Sequence, residues 1–426
     1  MNIKNVNTSV PREESLFLHP HGHFDNATTS YPKFPILSEM IDSYLENVGG
    51  NYGRTFYSRA YQVALAVEET RVLLAKKLGV HKPQNIMFCS GATEALNGVL
   101  RGFISSNKEM STKYNAFNRI EKVWLSPLEH NAVTRTVHRL QVDFDIAVEI
   151  LPADTDGRIN LEECYYLPFT DKDLVIVNHQ SNVNGVINPI GELKKVICRK
   201  GDDVPLVVDA AQSLSFDVPF IGVEKAGIDA LVFSAHKGLM GPTGLGGFYL
   251  KNEQLISEWK EGGTASLLIA DSMDMPSTSP EKFEAGTLNL VGIYGLKAVL
   301  DLEADNLIEG MVVSENDRTR RHQLEDFLLL LDEVKKIPDF TVYAANDSKY
   351  QGEIFSIRHR FMSNSELGRK LWEQYNIETR VGVHCALSAH RYLNTIPAGT
   401  VRFSPSFFHT ANDFQLLVQI LYQLGS

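Results

Sequence analysis

Cysteine is scarce in this chain. Four occur in 426 residues: Cys89, Cys164, Cys198 and Cys385. None belongs to a CxxC pair or to a Cys/His pattern with metal-ligand spacing, so no metal module is indicated. So few cysteines in so long a chain fit a reducing compartment with free thiols. Positive charge is short as well. Lys and Arg total 41 against 52 Asp and Glu, a net charge of −11, which argues against nucleic acid as a partner. No run approaches the roughly 18 apolar residues of a membrane span. The opening "MNIKNVNTSVPREESLFLHP" lacks the apolar core of a signal peptide. A soluble, cytoplasmic protein is expected, with no membrane partner. Internal repeats, low-complexity linkers and a P-loop are also missing.

What is present is a large apolar fraction, 43% of the residues, enough for two or three domains. From about residue 85, short apolar runs alternate with helical patterns. "NIMF", "KVWLS", "FDIAVEILP", "DLVIVNH", "PLVVDA" and "DALVFSA" read as strands; "EHNAVTRTVHRLQ", "IGELKKVICRK" and "VEKAGI" read as helices. Wholly apolar strands separated by helices predict a largely parallel sheet covered on both faces. The tail differs. Amphipathic helices are followed by "FTVYAA", "EIFSIRH", "ETRVGVH" and "TVRFSP", with the helices "SELGRKLWEQY" and "NDFQLLVQILYQL" among them. The expected organisation is an N-terminal segment (1–20) packing with a small domain, a large α/β domain (21–294) and a smaller α+β domain (295–426). A helix around 291–305 joins the last two.

In open α/β sheets, ligands bind beyond the carboxyl ends of the strands. Polar groups follow five of the apolar runs here: Ser90–Thr93, Glu129 and His130, Ser181 and Asn182, Asp209 and Gln212, and His236 and Lys237. "SGATEALN" places Thr93 at a helix start, which suits either an anion or a simple cap. Asp209 either caps a turn or partners a cationic ring nitrogen. His130 is open to three readings: acid/base group, ring stacked on a planar ligand, or half-buried histidine. Lys237 lies in "SAHKGLMGPTGLGG", ahead of most of its glycines, whereas in a P-loop the glycines come first. A lysine at the end of an apolar strand loses hydration, so its amine can be neutral and nucleophilic. A Schiff-base lysine, an anion-binding helix start and a strand-end aspartate are together what pyridoxal phosphate requires.

"HFDNATTSYPK", "GATEALN", "EHNAV", "HQSNVNGVINPI", "VVDAAQS", "SAHKGLMGPTGLGG", "FEAGTLN", "RVGVHCA" and "GTVRFSPSFFHTANDF" occur in that order. Together they resemble the class V aminotransferase family of fold-type I pyridoxal-phosphate enzymes, and within it the cysteine desulfurase branch of the NifS/SufS kind. The resemblance implies that Lys237 carries the cofactor covalently and moves the substrate's Cα proton. It implies Asp209 on the pyridine nitrogen, Gln212 on the phenolic oxygen and His130 stacked on the ring, with a part in proton transfer. Thr93, Ser234, His236 and the backbone at Ala92 would hold the phosphate. Thr287 would reach the phosphate of a neighbouring subunit, which implies a homodimer. Asn182 would border cofactor and substrate. Arg402, Arg380 and Asn26 would join it around the substrate carboxylate.

Cys385, in "RVGVHCA", matches the family's persulfide-forming cysteine; Arg380 and His384 beside it would favour the thiolate. The implied reaction converts L-cysteine to L-alanine and leaves sulfur on Cys385 for an acceptor protein or a small thiol. Two departures bear on this. Val383 stands where SufS-like members carry the first histidine of "GHHCA", and Tyr57 stands where they tend to have histidine. Other pyridoxal-phosphate reactions on the same scaffold stay open. These are C–S lysis to pyruvate and ammonia, transamination and epimerisation.

Overall fold

The computed structural model describes residues 22–53, 57–109, 120–199, 201, 203–215, 222–264, 273–305 and 324–425. The expected N-terminal segment, 1–20, lies outside these residues.

Seven short strands build the large sheet: β1 (Ile86–Cys89), β2 (Lys122–Leu125), β3 (Ala147–Ile150), β4 (Asp173–Asn178), β5 (Leu206–Asp209), β6 (Ala230–Ser234) and β7 (Gly246–Leu250). Their order is β1-β7-β6-β5-β4-β2-β3. β3, β2, β4, β5 and β6 run parallel, and β7 is antiparallel to both neighbours, β6 and β1. The apolar runs explain the burial. Val175, Val177, Val208 and Phe233 enter one core, while Leu174, Ile176, Val207 and Val232 enter the other. Side chains alternate across a strand, so a strand covered on both faces must be apolar throughout. β3, at the edge, is mostly exposed.

β7 was not among the strands expected. Its run "GGFYL" begins with two glycines, which disguise a strand. The glycines are there because backbones crowd. A Cβ on Gly246 would lie 2.6 Å from Gly91 Cα, and one on Gly247 would lie 2.2 Å from Met87 O.

The small unit has a four-stranded antiparallel sheet, β10-β11-β9-β8, from β8 (Phe340–Tyr343), β9 (Phe355–His359), β10 (Arg380–Gly382) and β11 (Thr400–Phe403). Helices Leu324–Lys335, Asn364–Tyr375 and Ala411–Leu424 pack on it around Phe327, Phe355, Leu371, Phe403 and Leu417. Phe24 joins this core, and the backbone at His23 and Asp25 bridges to Glu378 and Ser404. The helix Leu290–Ala304 buries Leu290, Ile293, Leu296 and Leu300 in the large unit's core. The division at 294/295 therefore passes through a helix that packs with the large unit. No helix among the described residues is long and apolar enough to cross a membrane.

Candidate active site

The carboxyl ends of β1, β2, β4, β5 and β6 open onto one cavity of about 330 Å³, closed from the other side by residues around β10 and β11. At its floor, β1 gives way to Ser90 and Gly91 and then to the helix Ala92–Glu109. Glu94 turns back to accept hydrogen bonds from Ser90 N and Ser90 Oγ, at 2.8 and 2.6 Å. That leaves the first N–H groups of the helix to face the cavity, where helix geometry favours an anion. Gly91 has φ of +154°, and a Cβ there would meet nothing within 4 Å. Ser234, the last residue of β6, and His236 line the same end.

Lys237 follows β6 after a two-residue turn, and the backbone of that turn is held by a separate segment. Ser30 N and Lys33 Nζ donate to His236 O, at 3.0 and 2.9 Å, and Ser30 Oγ donates to Lys237 O at 2.9 Å. Lys237 Nζ has no hydrogen-bond partner among the described residues. Burial pulls its pKa down to about 8, against the opposing charge of Asp209. Asp209 is the last residue of β5 and accepts from Ala211 N at 2.9 Å. Burial raises its pKa, and the Ala211 N–H and the Lys237 charge work the other way.

His130 caps the helix Asn131–Phe144: its Nδ1 accepts from Ala132 N at 3.0 Å. The proton of the neutral ring is thereby on Nε2. Burial, and then the charge of Lys237, lowers its pKa to about 4. At neutral pH His130 is a neutral ring and a donor at Nε2. A base it is not while Nδ1 stays engaged. Glu129 does not line the cavity. It is buried behind it, and its Oε1 accepts from Ser126 Oγ and Asn178 N at 2.6 and 2.7 Å.

The opposite wall is built by side-chain pairing. β10 and β11 place Arg380 directly across from Arg402. Two like charges so close need compensation, and "HFDNATT" supplies it. Thr28 Oγ1 accepts from Arg380 at 2.7 Å and from Arg402 at 2.9 Å, and donates to Asp25 Oδ1 at 2.8 Å. Arg402 also pairs with Asp25 at 2.7 Å and donates to Asn182 O at 2.9 Å. Beyond β10 the chain makes a turn in which His384 and Cys385 have φ of +47° and +55°. Consecutive left-handed non-glycine residues are strained. The strain is held by two hydrogen bonds: Asn182 Nδ2 donates to His384 O at 2.8 Å, and Asn131 N donates to Cys385 O at 2.7 Å. Cys385 is exposed, and Arg380 approaches its Sγ at 3.6 Å. His384 gives no positive charge. Buried beside Arg402, His390 and Arg380, it is held far below the usual imidazole range. Of the two neighbours expected to favour a thiolate, only Arg380 is a cation.

Lys237, Asp209, Gln212, His130, Ala92, Thr93, Asn182, Ser234, His236, Arg380, Arg402 and Cys385 all line this one cavity. Gln212 spends one N–H on Ala27 O, at 2.9 Å. Asn26 does not line it. Its Nδ2 donates to His23 O and Ser404 O, and its Oδ1 accepts from Tyr31 N, so it holds the chain instead. Thr287 lines a separate cleft behind the Ser90–Glu94 turn. Tyr57 stands just before the helix Ser58–Leu78, makes no side-chain cap there and does not reach the cavity. Asp25 and Thr28 were missed: short polar residues in a loop carry no periodic signal that would single them out.

Five lining residues keep a buried polar atom with no partner among the described residues: Gln180 Oε1, Asn182 Oδ1, His236 Nδ1, His384 Nδ1 and Arg402 Nε. Buried polar groups are rarely left unpaired, so the cavity is built for a polar occupant. An anion-binding helix start, an unpartnered lysine and a strand-end carboxylate fit a phosphorylated pyridine aldehyde.

The architecture is that of the fold-type I pyridoxal-phosphate enzymes. Within that class the chain belongs to the family described as aminotransferase class-V, whose family model matches residues 23–417. A probable cysteine desulfurase of Borreliella burgdorferi is 29% identical over 398 residues, covering 92% of this chain and 88% of the relative. A cysteine desulfurase of Escherichia coli is 27% identical over 412 residues, covering 95% and 93%. An apo cysteine desulfurase of Thermococcus onnurineus superposes with a TM-score of 0.80 at 27% identity, covering 95% of this chain and 94% of that one.

Proposed function

We propose that this enzyme is a cysteine desulfurase: it takes L-cysteine, releases L-alanine and retains the sulfur on Cys385. The observation that carries the reading is the position of Cys385, an exposed thiol on the wall facing Lys237, 3.6 Å from the Arg380 guanidinium. The relatives named above support it. Pyridoxal phosphate, when bound, supplies an electron sink for the substrate's Cα.

The chain's own residues do the rest. Lys237, desolvated to a pKa of about 8, would hold the cofactor covalently through Nζ, and its amine is the group that would take the substrate's Cα proton. Asp209 would hold the ring nitrogen, and Gln212, with one N–H on Ala27 O, would use the other for the ring oxygen. Thr93, the Ala92 N–H, Ser234 and His236 would hold the phosphate, and Thr287 would serve the partner subunit of a homodimer. Arg402, through its unpaired Nε, and Asn182, through Oδ1, orient the amino acid. The Cys385 thiolate attacks the substrate sulfur: an S–S bond forms, the Cβ–S bond breaks, and its electron pair returns to the substrate carbon. Two protons complete alanine, and no outside oxidant or reductant is needed.

The test is product analysis after incubation with cysteine, wild type beside Cys385→Ala. Alanine, with sulfur released by thiol, is expected from wild type and not from the variant. Pyruvate and ammonia from both would assign a C–S lyase instead.

A further inference from the structure

A second groove meets the cavity at Cys385. It has a volume of about 340 Å³ and lies between the helices Ala92–Glu109 and Asn131–Phe144. Thr93, His130, Ala132 and Cys385 border both spaces. The groove's polar rows follow from helix geometry. Thr93, Asn97 and Arg101 are spaced by four on one helix, and Asn131, Arg135 and Arg139 by four on the other, so each row occupies one face.

Its charge is the opposite of the chain's. Three arginines line it and no acidic residue does, on a protein of net charge −11. Arg139 pairs with Asp143 at 2.8 Å. Arg101 and Arg135 have no ion-pair partner among the described residues. Both helices also point their N-termini toward the Cys385 end, which adds to the positive field.

We propose that this groove binds the sulfur acceptor, and that the acceptor is a small thiol carrying two or more negative charges. The inference rests on the desulfurase reading. The volume is that of a small-molecule site, and the arginines match carboxylate or phosphate groups. Held there, the acceptor's thiolate attacks the outer sulfur of the Cys385 persulfide. A new S–S bond forms on the acceptor, the bond to Cys385 Sγ breaks, and its electron pair leaves the cysteine as thiolate, ready for another turnover.

The test uses the cofactor-loaded enzyme with cysteine and two acceptors, mercaptosuccinate, which is dianionic beside its thiol, and neutral 2-mercaptoethanol. Paired Arg101→Gln and Arg135→Gln changes should lower kcat/KM for mercaptosuccinate roughly five- to tenfold, as two solvent-exposed charge pairs would. The neutral thiol should be unaffected. Salt near 1 M, where the screening length is about 3 Å, should remove the difference. Succinate, lacking a thiol, should inhibit competitively against thiol and not against cysteine. Equal loss with both thiols, or none, overturns the groove while alanine formation still stands. A raised KM for cysteine alone makes the groove the substrate's access route and also overturns it. If no alanine forms with any thiol, the desulfurase reading falls and the groove proposal falls with it.

Discussion

The two walls of the cavity are made by different means. On the large unit's side, Thr93, Asp209, Ser234 and Lys237 stand where parallel strands end, and their positions follow from strand register. On the small unit's side, Arg380, Arg402 and Cys385 depend on a side-chain network through Asp25 and Thr28 and on a left-handed turn. The first wall is set by backbone, the second by paired charges. Cofactor anchoring should accordingly survive changes that disable substrate handling.

Lys237→Ala breaks the first wall outright. Activity should fall at least about 10³-fold, and borohydride should no longer fix cofactor to the protein, read by intact mass. Cys385→Ala should leave cofactor absorbance intact and cut desulfuration by about 10² or more, in keeping with the loss of a nucleophile. Desulfuration at wild-type rate would break the comparison and the proposed function together. Cofactor uptake by the apoprotein should rise with pH, because only a neutral Lys237 amine attacks an aldehyde. With its pKa near 8, the neutral fraction grows roughly fiftyfold from about pH 6 to pH 8, then levels off. Stopped-flow absorbance measures this; a flat profile would mean the lysine is not desolvated. Thr28→Val removes the hydroxyl shared by both guanidinium groups. Hydrogen bonds to charged groups are worth about 1.5–3 kcal/mol, so KM for cysteine should rise about tenfold or more with kcat little changed. Gly246→Ala should cost about 1–3 kcal/mol through overpacking, read by urea unfolding, and should loosen cofactor retention.

The same contrast governs what could be read in the sequence. The parallel strands were legible because burial on both faces demands unbroken apolar runs, and the site residues just past them follow from sheet topology. β7 was hidden by Gly246 and Gly247, whose reason is tertiary crowding. Asp25 and Thr28 were illegible because their partners lie more than 350 residues away in sequence. The neutrality of His384 is a property of its surroundings, so residue type suggested the wrong charge.

The close passage of Gly246 against Gly91 has a consequence for evolution of the chemistry. The Ser90–Gly91 turn is pressed onto β7, the strand beside the one that ends near Lys237. The span between the two moorings is thus a lattice spacing of the sheet, indifferent to the residues at the mouth. The loop that carries Val383 can change without altering that spacing.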